Sequence, residues 1–77
     1  MSNGIVDVTV HIDETLDAIL RGELADKLRA ISGVSNTSML DHRPHLMVVE
    51  FDPERIGTRE ILDAVTSTGV RAELIGL

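Results

Sequence analysis

Cysteine is missing from this chain altogether. That excludes a disulfide framework and any thiolate site for a soft metal such as Cu(I). It also suits a reducing compartment. Aromatic side chains are almost as scarce: Phe51 is the only one, with no Trp or Tyr. Proteins that grip single-stranded nucleic acid stack bases on aromatic platforms, so that class is disfavoured. Positive charge is short as well, with Lys and Arg totalling 7 against 13 Asp and Glu, a formal net charge of -6. Such a chain repels phosphate backbones and anionic lipid surfaces. No apolar run has the length of a membrane span or a signal sequence, and Met1-Ser2-Asn3-Gly4 carries no basic segment. The expectation is a cytoplasmic protein with neither nucleic acid nor membrane as its partner.

What is present argues for an ordered fold. At 43% hydrophobic residues with mixed charge, the 77-residue chain is not of disordered composition. Its length predicts one domain, residues 1–77, with a modest core that needs good packing or a partner subunit.

Ile5 to Ile12 alternates, with Val6, Val8, Val10 and Ile12 on one face and Asp7, Thr9 and His11 on the other, the pattern of a half-buried strand. A helix follows, capped by Asp13 or Thr15, with Leu16, Leu20, Leu24, Leu28 and Ile31 along one face. Gly22 interrupts that stripe and marks either a kink or the end of an irregular loop, so the pattern leaves Glu14 to Ile19 open between helix and loop. Ser32-Gly33 stops the helix, with Gly33 at the left-handed position. Val34 to Leu40 reads as a weaker strand, residues 41–45 as a turn-rich connection, and Leu46 to Phe51 as a strong strand stopped by Asp52-Pro53. Thr58 to Thr68 reads as a second helix capped by Thr58 and closed by Gly69, and Val70 to Leu77 as the last strand. The order βαββαβ predicts an α+β, ferredoxin-like sandwich: a four-stranded antiparallel sheet in the order 4-1-3-2 with both helices on one face.

A narrower resemblance rests on particular stretches. They are Ile31-Ser32-Gly33-Val34, then Val49-Glu50-Phe51-Asp52-Pro53, Thr58 to Val65, and Gly69 to Leu74. Together they resemble the heavy-metal-associated domain, the small copper-chaperone fold. In that family two cysteines in a CxxC loop carry the metal, and the resemblance would place them near Asp17 and Leu20. The likeness therefore implies the scaffold, and a habit of docking to other proteins, without the thiolate site.

The same topology gathers three connections at one end of the sheet: the first strand-to-helix turn, the hairpin between strands two and three, and the turn before strand four. That end collects His11, Asp13, Glu14, Asp17, Asp41, His42 and His45. Imidazole with carboxylate suits Zn, Ni, Co or Cu(II), so His11, Asp41, His42 and His45 are the candidate metal ligands. The plainer reading is a solvated hairpin. Asp13, Glu14 and Asp17 also suit the positive end of a helix dipole, so they need not be an acid/base pair. Met39 and Met47 share the strand face of Thr37, Val49 and Phe51, which makes them core filler rather than thioether ligands. On the open face, Leu46, Val48 and Ile75 are the candidate interface, expected to be exposed apolar groups. The resulting reading is a small non-catalytic binding module, not an enzyme, whose partner is another protein or a second copy of the chain. The alternative is a metal-binding protein with a His/carboxylate site at the loop end.

Overall fold

A computed structural model describes residues 4–40 and 42–76. The elements run β1 (Val6–Ile12), α1 (Ala18–Arg29), β2 (Val34–Leu40), β3 (Arg43–Phe51), α2 (Thr58–Thr66) and β4 (Ala72–Gly76). The sheet order is β2-β3-β1-β4, and all three pairings are antiparallel. This is the expected ferredoxin-like βαββαβ topology.

The alternation in β1 and β3 decides which face carries the core. Val8 pairs with Val49 and Val10 with Met47. These four, with Ile12 and Phe51, are buried. Leu24 and Leu28 of α1, and Ile61 and Val65 of α2, close over them together with Ile56 from the turn before α2. A one-residue slip of either strand would turn this set to solvent, so the register is strongly specified.

The elements depart from the sequence reading in several places, among them α2 ending at Thr66 rather than Thr68 and β4 beginning at Ala72 rather than Val70. The cap of α1 is Asp17 rather than Asp13 or Thr15: its carboxylate accepts the Leu20 amide at 2.8 Å. Gly22 lies inside this helix, with open space where a Cβ would stand, and so neither ends a loop nor forces a break. The N-cap of α2 is Gly57, not Thr58, and the Glu60 carboxylate accepts the Gly57 amide at 3.0 Å, one half of a capping box. Finally, β3 begins at Arg43, three residues before the expected Leu46. Met39 pairs with Met47 and Leu40 with Arg43, so Pro44, His45 and Leu46 bulge out of the β2 ladder. Proline is tolerated there because a bulge asks for no ladder N–H. The hydrophobic pattern could not reveal a strand start that carries Arg, Pro and His.

Among the described residues one core residue is polar. Thr37 is fully buried on β2, and its hydroxyl has no hydrogen-bond partner among the described residues. Its backbone is separately held, since Arg29 Nη2 donates to the Thr37 carbonyl at 2.6 Å. An unsatisfied buried hydroxyl costs about 1–3 kcal/mol of desolvation. Thr37→Val keeps the shape and the strand propensity and is expected to raise stability by about 1 kcal/mol in urea unfolding. Unchanged or lowered stability would mean that a buried water satisfies the hydroxyl.

Candidate functional site at the loop end

Backbone bonds tie the expected end of the sheet together. The Asp13 amide donates to the Arg71 carbonyl at 2.8 Å, and the Arg71 amide donates back to Glu14 Oε1 at 2.8 Å. His45 on β3 reaches the last residue of β1, with Nδ1 2.7 Å from the Ile12 carbonyl. Arg21 Nη1 donates to the Leu16 carbonyl at 2.7 Å, closing the loop between β1 and α1 from the helix side.

These bonds assign the carboxylates. Asp17 is spent on the helix cap, and Glu14 holds the chain entering β4. Asp13 is about half exposed, its Oδ1 3.3 Å from His11 Nδ1. Asp13 and Asp17 are exposed, and the Glu14 carboxylate is bonded to a backbone amide, so the three act here as cap, clasp and surface groups. Asp17 and Leu20, where the resemblance would place the two cysteines, are joined to each other by the cap bond. A capped helical turn therefore stands where a thiolate pair would have to open toward a metal.

Of the proposed ligands, the fold brings together His11 and His45. Their ring centroids are 5.8 Å apart and the planes are 18° from parallel. His42 sits exposed in the β2–β3 turn, and Asp41 lies outside the described residues. Among the described residues no three His, Asp or Glu side chains are grouped to hold a metal ion.

The apolar candidates also divide. On the open face His11 pairs with Leu46, Thr9 with Val48 and Asp7 with Glu50, as the alternation implied. Leu46 and Val48 are half-buried rather than exposed, because the neighbouring strands shield their flanks. Ile75 is exposed at 51% and sits where the β1–β4 register shifts, between Leu74 opposite Val10 and Gly76 opposite Thr9.

Among the described residues, the most exposed large apolar side chain is one the sequence reading passed over. Ile19 is 72% exposed in the first turn of α1, beside Leu20 at 48%. Leu20 also lines an open groove of about 360 Å³ with Leu16, Glu23, Leu24, Lys27, Thr68 and Val70. Ile19 lies off the leucine stripe, and that mismatch was the available signal. Leu20 lies on the stripe, yet it stays exposed at this groove while Leu24 and Leu28 are buried in the core.

No protein-family model matches the chain, and no curated protein matches it in sequence. Solved structures do match in fold. A copper binding domain from HMA7, a P-type ATPase, superposes with a TM-score of 0.82 at 20% identity, over 91% of this chain and 93% of that one. Oxidized MerP from Ralstonia metallidurans CH34 gives 0.80 at 16% identity, over 91% and 96%. The Cu(I)-loaded first domain of the human copper chaperone for SOD1 gives 0.73 at 16%, over 96% and 97%. The chain has the fold of these heavy-metal-associated domains. It has no cysteine with which to bind Cu(I) through thiolates.

Proposed function

We propose that this chain is a small, non-catalytic binding module that docks another protein through the start of α1. The exposure of Ile19 and Leu20 in the first turn of α1, with Leu20 lining a largely apolar groove that also carries Glu23 and Lys27, carries this reading. Single exposed apolar residues are ordinary, whereas a contiguous patch marks an interaction surface. Burying a side chain such as Ile or Leu is worth about 1.5–3 kcal/mol, so two adjacent anchors contribute usefully to a complex. The fold supports the same reading, since its solved neighbours include a copper chaperone domain. With thiolate chemistry excluded, contact with another protein is the part of such a role that remains open to this chain. Ile75, with Leu46 and Val48 behind it, is the competing surface, and a second copy of the chain is the competing partner.

The test compares wild type, an Ile19→Asp/Leu20→Asp variant and Ile75→Asp. Sedimentation measures self-association, and affinity capture followed by titration with the purified captured protein measures docking. The expected result is a specific partner whose affinity falls roughly tenfold to a hundredfold in the α1 double variant and stays near wild type in Ile75→Asp, the two lost anchors together being worth about 1.4–2.7 kcal/mol. The opposite ranking moves the interface to the open sheet face. Dimerisation abolished by the α1 variant would make the partner a second copy.

A further inference from the structure

Part of β1 has a neighbour on one side only. β3 pairs with β1 from Val6 through His11, whereas β4 pairs with Thr9, Val10, His11 and Ile12. Val6, Asp7 and Val8 therefore have β3 on one flank and no described strand on the other. Exposure follows the same boundary. Val6 lies on the face of Val8 and Val10, yet it is 40% exposed where they are 1% and 0%. Ile5, just before the strand, is 49% exposed. A bare strand flank presents backbone N–H and C=O groups that a further strand can pair. The edge formed by β2 is guarded by comparison. Its Thr37 carbonyl already accepts Arg29 Nη2, and its register shifts near both ends.

The bare flank also carries a charge conflict. Asp7 of β1 stands directly opposite Glu50 of β3, so the two carboxylates share the open face of the sheet. Both residues are exposed, and neither carboxylate has an ion pair or hydrogen bond among the described residues. Like charges directly opposite each other destabilise a sheet. A cation arriving from the bare side of β1 relieves that conflict, meeting Asp7 first with Glu50 behind it. A second copy of this chain is a poor occupant. Pairing β1 with β1 would bring another Asp7 and Glu50 to the same corner of a chain whose net charge is already -6.

We infer that the flank of β1 at Val6, Asp7 and Val8 accepts an extended basic segment of another protein as an added strand. Run antiparallel, that strand sets a Lys or Arg opposite Asp7, with apolar residues opposite Val6 and Ile5. Directly opposite side chains on one face lie close enough to pair, and a long cationic side chain extends from Asp7 toward Glu50. Backbone hydrogen bonds supply affinity, and the alternation of side chains selects the segment. The flank shares no residue with the first turn of α1 and stands or falls independently of docking through Ile19 and Leu20.

The probe is a synthetic peptide with blocked ends containing Val-Lys-Val-Val, titrated into isotope-labelled protein and followed by backbone amide spectra. A Val-Glu-Val-Val peptide is the control. The expected result is amide shifts and slowed amide exchange centred on Val6, Asp7 and Val8, with β2 unmoved. Asp7→Asn/Glu50→Gln should raise the Kd about threefold to tenfold. Because it removes a repulsion, the same variant should unfold in urea at or above the wild-type midpoint, so weaker binding is not a sign of lost folding. The control peptide should bind roughly tenfold more weakly, and Ile19→Asp/Leu20→Asp should leave the Kd within about twofold of wild type. Shifts centred on β2 or α1, equal affinity for the two peptides, an affinity indifferent to Asp7 and Glu50, or no binding at millimolar peptide would each overturn the inference.

Discussion

Gly33→Ala is expected to destabilise the protein by about 2–4 kcal/mol, the sum of left-handed backbone strain and overpacking. Gly33 has φ of 100°, where a Cβ crowds its own carbonyl. The new methyl would also stand 2.9 Å from Ile56 Cγ2 and 3.1 Å from Arg55 Cβ. Neither neighbour can yield cheaply. Ile56 is buried in the core, and the Gly33 carbonyl accepts the Asp52 amide at 2.8 Å, which pins the turn against the end of β3. In a domain of this size the loss corresponds to a fall in Tm of roughly 10–30 °C. Gly69 supplies the control, because its φ is 98° but nothing lies within 4 Å of its added Cβ. Gly69→Ala should therefore cost only the backbone part, about 1–2 kcal/mol. Thermal melts and urea curves on both variants separate the two contributions, and equal losses would show that the contact with Ile56 relaxes freely.

The second large effect belongs to Phe51. It is buried at 2% exposure, opposite both Val6 of β1 and Val34 of β2, and is the one Phe in a chain without Trp or Tyr. Phe51→Ala is expected to cost about 3–5 kcal/mol, combining lost transfer free energy with the cavity left behind. Small domains have only about 5–15 kcal/mol in hand, so this variant should be largely unfolded well below the wild-type midpoint. Phe51→Leu refills much of the space and should cost about 1–2 kcal/mol. Denaturant midpoints at constant m-value check both. An alanine variant within about 1 kcal/mol of wild type would mean that the helices settle into the cavity.

Much of the fold was legible because the informative signals were local. Alternation in β1, the glycine after each helix and the Asp52-Pro53 stop are read from neighbours in the chain, and they gave the order and the sheet topology. The misread points share a cause. Whether Asp13, Thr15 or Asp17 caps α1 depends on where the loop from β1 runs, and that is set by the bonds from Asp13 and Glu14 to Arg71, in the segment that enters β4. The early start of β3 depends on β1 pairing with Leu46 while β2 bulges past it. Such long-range partners leave no periodicity.

The candidate sites were legible to a lesser degree for the same reason. Sequence put all three histidines at one end, but only packing could separate His42 in the turn from the pair formed by His11 and His45. It marked Leu46 and Val48 as outward-facing, but their partial burial comes from neighbouring strands. It passed over Ile19, which lies off the leucine stripe and is exposed in the first turn of α1.

The sequence alone determined that thiolate chemistry is closed to this chain, since no fold can supply an absent sulfur. It also determined the strand faces, because a side-chain period of two leaves one way to bury Val8, Val10, Val49 and Phe51 together. Tertiary structure alone decided which polar groups are committed to the scaffold and which are left to act. Asp17 and Glu14 are held by backbone amides, and the two neighbouring imidazoles turn Nδ1 inward. A hydrogen bond depends on distances between residues far apart in the chain, and those distances exist only once the sheet has closed.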